Sequence, residues 1–143
     1  MKRIGRGIRK VAGQMNRLEA RYADYLEEQR RLGYVEWFAY EPMKFKLADK
    51  TYYTPDFVVM RPDGAIEVHD TKGTTTKTRK SGAREKAPFA EEHSKIKIKS
   101  VADKYPFRFF MVWFNAGVWQ YTEFGMSTHA ELANSNKTKE EER

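Results

Sequence analysis

The sequence predicts a mixed α/β fold in which a sheet of about four to five strands is flanked by helices. Three observations carry that expectation. Apolar residues recur at helical spacing in two segments, 17–32 and 89–105. Short aromatic or alternating runs lie between and after them, bounded by Gly, Pro, Asn and Asp. The 143-residue chain is 40% hydrophobic and 14% aromatic, enough for one domain with a real core and no cross-links.

Taken in order, residues 1–15 are basic and Gly-containing without a sustained period and predict a flexible arm. Asn16 suits a helix N-cap, and Glu19 three residues later fits the reciprocal half of a capping box. Leu18, Tyr22, Tyr25, Leu26 and Leu32 continue the helical period, and Gly33 suits a left-handed C-terminal cap. Strand signals follow at Val35–Tyr40 and Met43–Leu47, separated by Pro42. Tyr52–Met60 and Ala65–Lys72 flank Arg61-Pro62-Asp63-Gly64, a turn signal, and predict an antiparallel hairpin.

Residues 73–88 are Thr, Lys, Arg, Ser and Gly without apolar periodicity and predict a mobile basic loop. Lys95-Ile96-Lys97-Ile98-Lys99 alternates like a strand, but Ile98, Val101, Ala102 and Tyr105 keep helical spacing up to Pro106, which favours a helix. Phe107–Phe114 and Val118–Phe124 are strands around an Asn115-Ala116-Gly117 turn. Residues 125–143 form a polar tail, so the domain proper is expected over 16–124.

The charge is segregated. Residues 1–17 carry six basic groups and no acid, and residues 72–99 carry nine against three, in a chain of net charge +7. That is the electrostatic pattern of a phosphate-backbone binder, against a plainer reading as basic solvated segments. Without cysteine, thiol catalysis, disulfides and Cys-based zinc sites are excluded. No run approaches the roughly 18 apolar residues of a membrane span, and the first residues lack the apolar core of a signal peptide. A cytoplasmic protein with no membrane partner is the expectation.

The chemistry concentrates on the central hairpin. Strand side chains alternate, so Asp70 and Lys72 project from one side while Glu67 and His69 project from the other. Asp56, in Thr54-Pro55-Asp56-Phe57, is expected across the hairpin from them, inside the first strand. Two carboxylates hold a hard cation such as Mg²⁺, which activates water against a phosphoryl group. An adjacent ammonium orients that water or offsets developing charge. Asp63 belongs to a second Pro-Asp pair, but the turn places it roughly 23 Å from Asp70. His93 and His129 show no ligand spacing.

Pro55-Asp56 followed by Asp70-Thr71-Lys72 resembles the motif of the PD-(D/E)XK nuclease superfamily. The wider run is similar to a small phage family with that core, through Asn16–Tyr22, Tyr53–Phe57, Lys97-Ile98-Lys99 and Tyr105-Pro106-Phe107. The resemblance implies a restriction-endonuclease-like core and a metal-dependent DNA endonuclease leaving 5′-phosphate and 3′-hydroxyl ends. It implies Asp56 and Asp70 as metal ligands, the Thr71 carbonyl beside them, and Lys72 as the catalytic lysine. Glu19 would match the first-helix acid that completes the site in the phage endonuclease I type of Holliday-junction resolvase, although its capping position explains it equally. Asp70 stands where Glu is commoner. The cofactor implied is Mg²⁺, with Mn²⁺ able to substitute.

DNA is the expected partner, held mainly through its backbone, since no base-reading motif lies in the basic segments. The candidate contacts are Arg3, Arg6, Arg9 and Lys10 in the arm, and Lys77, Arg79, Lys80, Arg84 and Lys86 after the site. Lys95, Lys97 and Lys99 on the second helix are further candidates or a solvated face, with Lys97 favoured by the resemblance. These readings point to a branched-DNA resolvase working as a homodimer. The alternatives are a weakly specific nicking nuclease and a non-catalytic DNA-binding accessory protein on the same fold.

Overall fold

The computed structural model describes residues 13–125. The arm residues Arg3, Arg6, Arg9 and Lys10, and the tail from residue 126, lie outside the described residues.

Helix α1 (Arg17–Arg31) begins where expected. The Asn16 side chain accepts from the Glu19 amide at 2.8 Å, and Glu19 Oε2 accepts from the Asn16 amide at 3.0 Å. The end closes through Gly33, at φ 87°, whose N–H donates to Arg30 while the Tyr34 N–H donates to Gln29. Paired bonds of that kind satisfy carbonyls the helix would otherwise leave open.

The main sheet runs in the order β1-β4-β5-β8-β9, built from β1 (Trp37–Tyr40), β4 (Phe57–Met60), β5 (Ile66–Thr71), β8 (Arg108–Asn115) and β9 (Val118–Phe124). All neighbours are antiparallel except β5 and β8. A parallel pair needs a long crossover, and here the chain from Lys72 to Phe107 supplies it, including helix α2 (Glu92–Lys104). Helix α2 stops at Tyr105, which is extended ahead of Pro106.

The period-2 alternation of the strands sorts two cores. Phe57, Val59 and Val112 turn to one face and pack with Tyr22, Leu26 and Val35 under α1. Val58, Val68, Phe109 and Met111 turn to the other and pack with Ile98 and Val101 of α2 and with Phe45 and Tyr53. Each such side chain contributes roughly 1.5–3 kcal/mol on burial, so the sheet is clamped from both sides. Among the described residues no helix is long and apolar enough to cross a membrane.

Two expectations are corrected. Tyr52–Met60 is not one strand. β3 (Thr51–Tyr53) pairs with β2 (Phe45–Ala48) in a separate two-stranded sheet, and β4 begins only at Phe57. Pro55 has no N–H to give a ladder, so the chain changes sheets at Thr54–Asp56 and Asp56 sits at the entrance to β4, not within it. Nor is 73–88 an irregular loop. β6 (Thr74–Thr78) and β7 (Arg84–Pro88) form an antiparallel ribbon, joined by a turn in which the Arg79 amide donates to Ala83. Both faces of most of this ribbon meet solvent, so it carries no apolar alternation; four β-branched threonines supply the extended preference instead.

Candidate active site

Asp56 and Asp70 meet at one end of the central strands. Asp70 lies on β5 with Val68 on the α2 side, whereas Thr71, His69 and Glu67 take the α1 side. Asp56 reaches this point because the Glu41 amide donates to its carbonyl at 2.7 Å and ties the β4 entrance to the turn after β1. Its Oδ2 accepts from both the Thr71 N–H and the Thr71 hydroxyl, each at 2.8 Å. Thr71 thereby aims Asp56 with two donors from the residue beside Asp70.

The two carboxyl groups are buried, at 7% and 6% exposure, and close enough for each to act on the other. Burial, then the charge of Asp70, pushes the Asp56 carboxyl well above its ordinary range; the charge of Glu19 adds to this and the Thr71 hydroxyl opposes it. A proton relieves this repulsion, and a divalent cation would relieve it more fully.

Lys72 leaves the end of β5 with its amide donating to the Val112 carbonyl at 2.8 Å, which prolongs the β5–β8 ladder by one bond. Its Nζ sits 2.9 Å from Asp70 Oδ2 and remains partly open to solvent. The same-side placement of Asp70 and Lys72 read from the sequence holds. Glu19, 3% exposed, is near enough for its charge to act on Asp56. Its Oε2 also accepts from the Tyr40 hydroxyl at 2.8 Å.

Among the described residues, no three carboxylate or imidazole groups form a ready-made cage. The donor set is therefore two carboxylates, with Glu19 alongside. That fits Mg²⁺, which binds through one or two carboxylates and keeps several waters, and it fits zinc poorly.

Tyr53 and Thr71 both shape the site in ways the sequence reading missed. Tyr53 is buried beside the pair; burial, followed by the nearby Asp70 and Asp56 charges, raises its pKa well above the ordinary value. Tyr53 lies two residues before Pro55, but only the change of sheet at Thr54–Asp56 turns it toward Asp70. The Thr71 side chain carried no signal either, because its bond to Asp56 spans 15 residues.

Glu67 and His69 face away from the site, as expected, and form a buried chain of their own. His69 is fully buried, with Nε2 2.9 Å from Glu67 Oε1 and Nδ1 2.5 Å from the Tyr22 hydroxyl. Burial lowers the His69 pKa, so the neutral ring donates to Glu67 and accepts from Tyr22. Burial would raise Glu67, but its bonds from His69 and Arg61 outweigh that and hold it at about 2. With His69 neutral, Arg61 is the ionic partner, at 3.0 Å.

Of the remaining candidates, Lys77, Arg79, Lys80, Arg84 and Lys86 lie on the β6–β7 ribbon, which starts two residues after Lys72. Lys95, Lys97 and Lys99 ride on α2, which covers the same side of the sheet as Asp70; Lys95 approaches Glu92 at 3.7 Å. Asp63 caps the β4–β5 turn by accepting from the Ala65 amide. No family model, curated protein or solved structure matches the chain.

Proposed function

We propose that this protein is a divalent-metal-dependent DNA endonuclease that hydrolyses phosphodiester bonds, selective for branched DNA. The observation that carries the reading is the buried Asp56–Asp70 pair, aimed by Thr71 and flanked by Lys72 at the root of a cationic ribbon. When bound, Mg²⁺, or Mn²⁺ in its place, polarises the phosphoryl group and activates the attacking water.

Asp56 and Asp70 supply the anionic oxygens for the cation, with the Thr71 carbonyl available beside them. Lys72 orients the water and offsets charge developing on the phosphate. Its ion pair with Asp70 holds the ammonium in place until substrate arrives. Two copies acting on opposite arms account for paired cuts in a junction, so a homodimer is the working unit of this proposal.

The test is incubation of the full chain with Mg²⁺ and matched linear, forked and four-way DNA. Metal-dependent cleavage that favours the four-way substrate and vanishes in Asp70→Asn is expected. Equal nicking of all three would reduce the reading to a weakly specific nuclease. Binding of DNA with no cleavage would replace it with a non-catalytic DNA-binding role.

A further inference from the structure

The β6–β7 ribbon divides its charges between two faces. Residues opposite each other in an antiparallel pair share a face. Thr75 and Lys77 therefore share one with Ala87 and Glu85, and Thr74, Thr76 and Thr78 share the other with Pro88, Lys86 and Arg84. Glu85 is the ribbon's only acid, and Arg79 is paired to it at 2.5 Å. The first face is thus partly neutralised, and Thr75 and Ala87 on it are half-buried. The second face holds no acid and no aromatic ring, and Thr74, Thr76, Thr78, Arg84 and Lys86 on it are all exposed.

We infer that this second face is a duplex-DNA contact, with Arg84 and Lys86 against phosphates and the Thr76 and Thr78 hydroxyls between them. The inference rests on DNA being the partner. Charge complementarity selects a polyanion, and the missing aromatics select duplex over single strand, since single-strand binders stack bases on rings. A two-stranded ribbon also fits the width of the major groove. Five residues at ~3.3 Å reach roughly 16 Å, about half a helical turn of ~34 Å. Because the ribbon begins two residues after Lys72, a duplex held on it would lie next to the bond presented to Asp56 and Asp70. Of the five ribbon cations named from the sequence, the structure separates Arg84 and Lys86 from Lys77 and Arg79, while Lys80 sits at the tip.

Binding of a labelled linear duplex, measured by fluorescence anisotropy in EDTA across a salt series, tests this without cleavage. Arg84→Ala with Lys86→Ala should flatten the log K against log salt slope by about 1.8, so that about tenfold less affinity is lost between 50 and 200 mM salt. Lys77→Ala with Arg79→Ala removes the same charge and should flatten it by less than half as much. Thr76→Val with Thr78→Val should weaken binding several-fold at unchanged slope, because hydroxyls release no counterion. Equal slope changes from both charge pairs, tighter binding of single strands than duplex, or no DNA binding would overturn the inference. If the ribbon pattern holds but Mg²⁺ gives no cleavage, the nuclease reading fails alone. If cleavage occurs and the ribbon variants are silent, only the ribbon inference falls.

Discussion

Thr71 shows how closely structure and chemistry are joined at single residues, since its two donors both end on one oxygen of Asp56. Thr71→Val keeps the backbone donor and removes the hydroxyl. Cleavage should fall about 10-fold or more, as for a misaligned catalytic group, with the melting temperature within a few degrees of wild type. Wild-type rates in Thr71→Val would make the hydroxyl dispensable. Glu19→Gln separates two roles. Gln can still accept from Asn16 and Tyr40, so metal-free stability should hold. The charge beside Asp56 is lost, so activity should drop by orders of magnitude across a Mg²⁺ titration. Near wild-type cleavage would leave Glu19 as a cap alone.

On the opposite side of β5, Glu67 carries a pH prediction. Its pKa is 4.5 when free and about 2 when folded, so the native state binds fewer protons between these values. Stability is fully present above 4.5 and is lost as pH falls toward 2. His69, lowered from 6.5 by burial, acts in the same direction at higher pH. Glu67→Gln should flatten the acid limb of a denaturation profile below pH 4.5, and an unchanged limb would remove Glu67 from it.

At the scale of elements, α1 is the most local structure in the chain, with its start and stop written in Asn16, Glu19 and Gly33. Asn16→Ala should cost about 1 kcal/mol, read in a denaturant midpoint; no shift would mean that Glu19 and Tyr40 hold the helix end unaided. Helix α2 was legible for the same reason, through Ile98 and Val101 at helical spacing. The elements misread are those whose partners are distant or whose faces are both polar. The β6–β7 ribbon has no apolar stripe, so its pairing follows from Thr propensity and cross-strand bonds that composition does not display. The break between β3 and β4 hinges on Pro55, and only the separate pairing of β3 with β2 shows that Tyr53 and Phe57 serve different sheets.

For the whole molecule, the net charge of +7 is concentrated in two segments, so under the proposed function DNA affinity should fall as salt rises. Deleting residues 1–15 should flatten the salt slope and weaken linear, forked and four-way substrates about equally. Unchanged affinity would make that segment passive. The sequence by itself determined the α/β class, both helices, the β4–β5 hairpin and the placement of Asp70 with Lys72 opposite Glu67 and His69. All of these are set by spacing along one element or across one short turn. Tertiary structure alone decided that β5 pairs in parallel with β8, that Tyr53 turns to Asp70, and that Thr71 holds Asp56. It also decided that the ribbon keeps one face free of acid. Those features depend on which strands lie side by side, and side-chain periodicity reports which face a residue takes, not which neighbour it meets there.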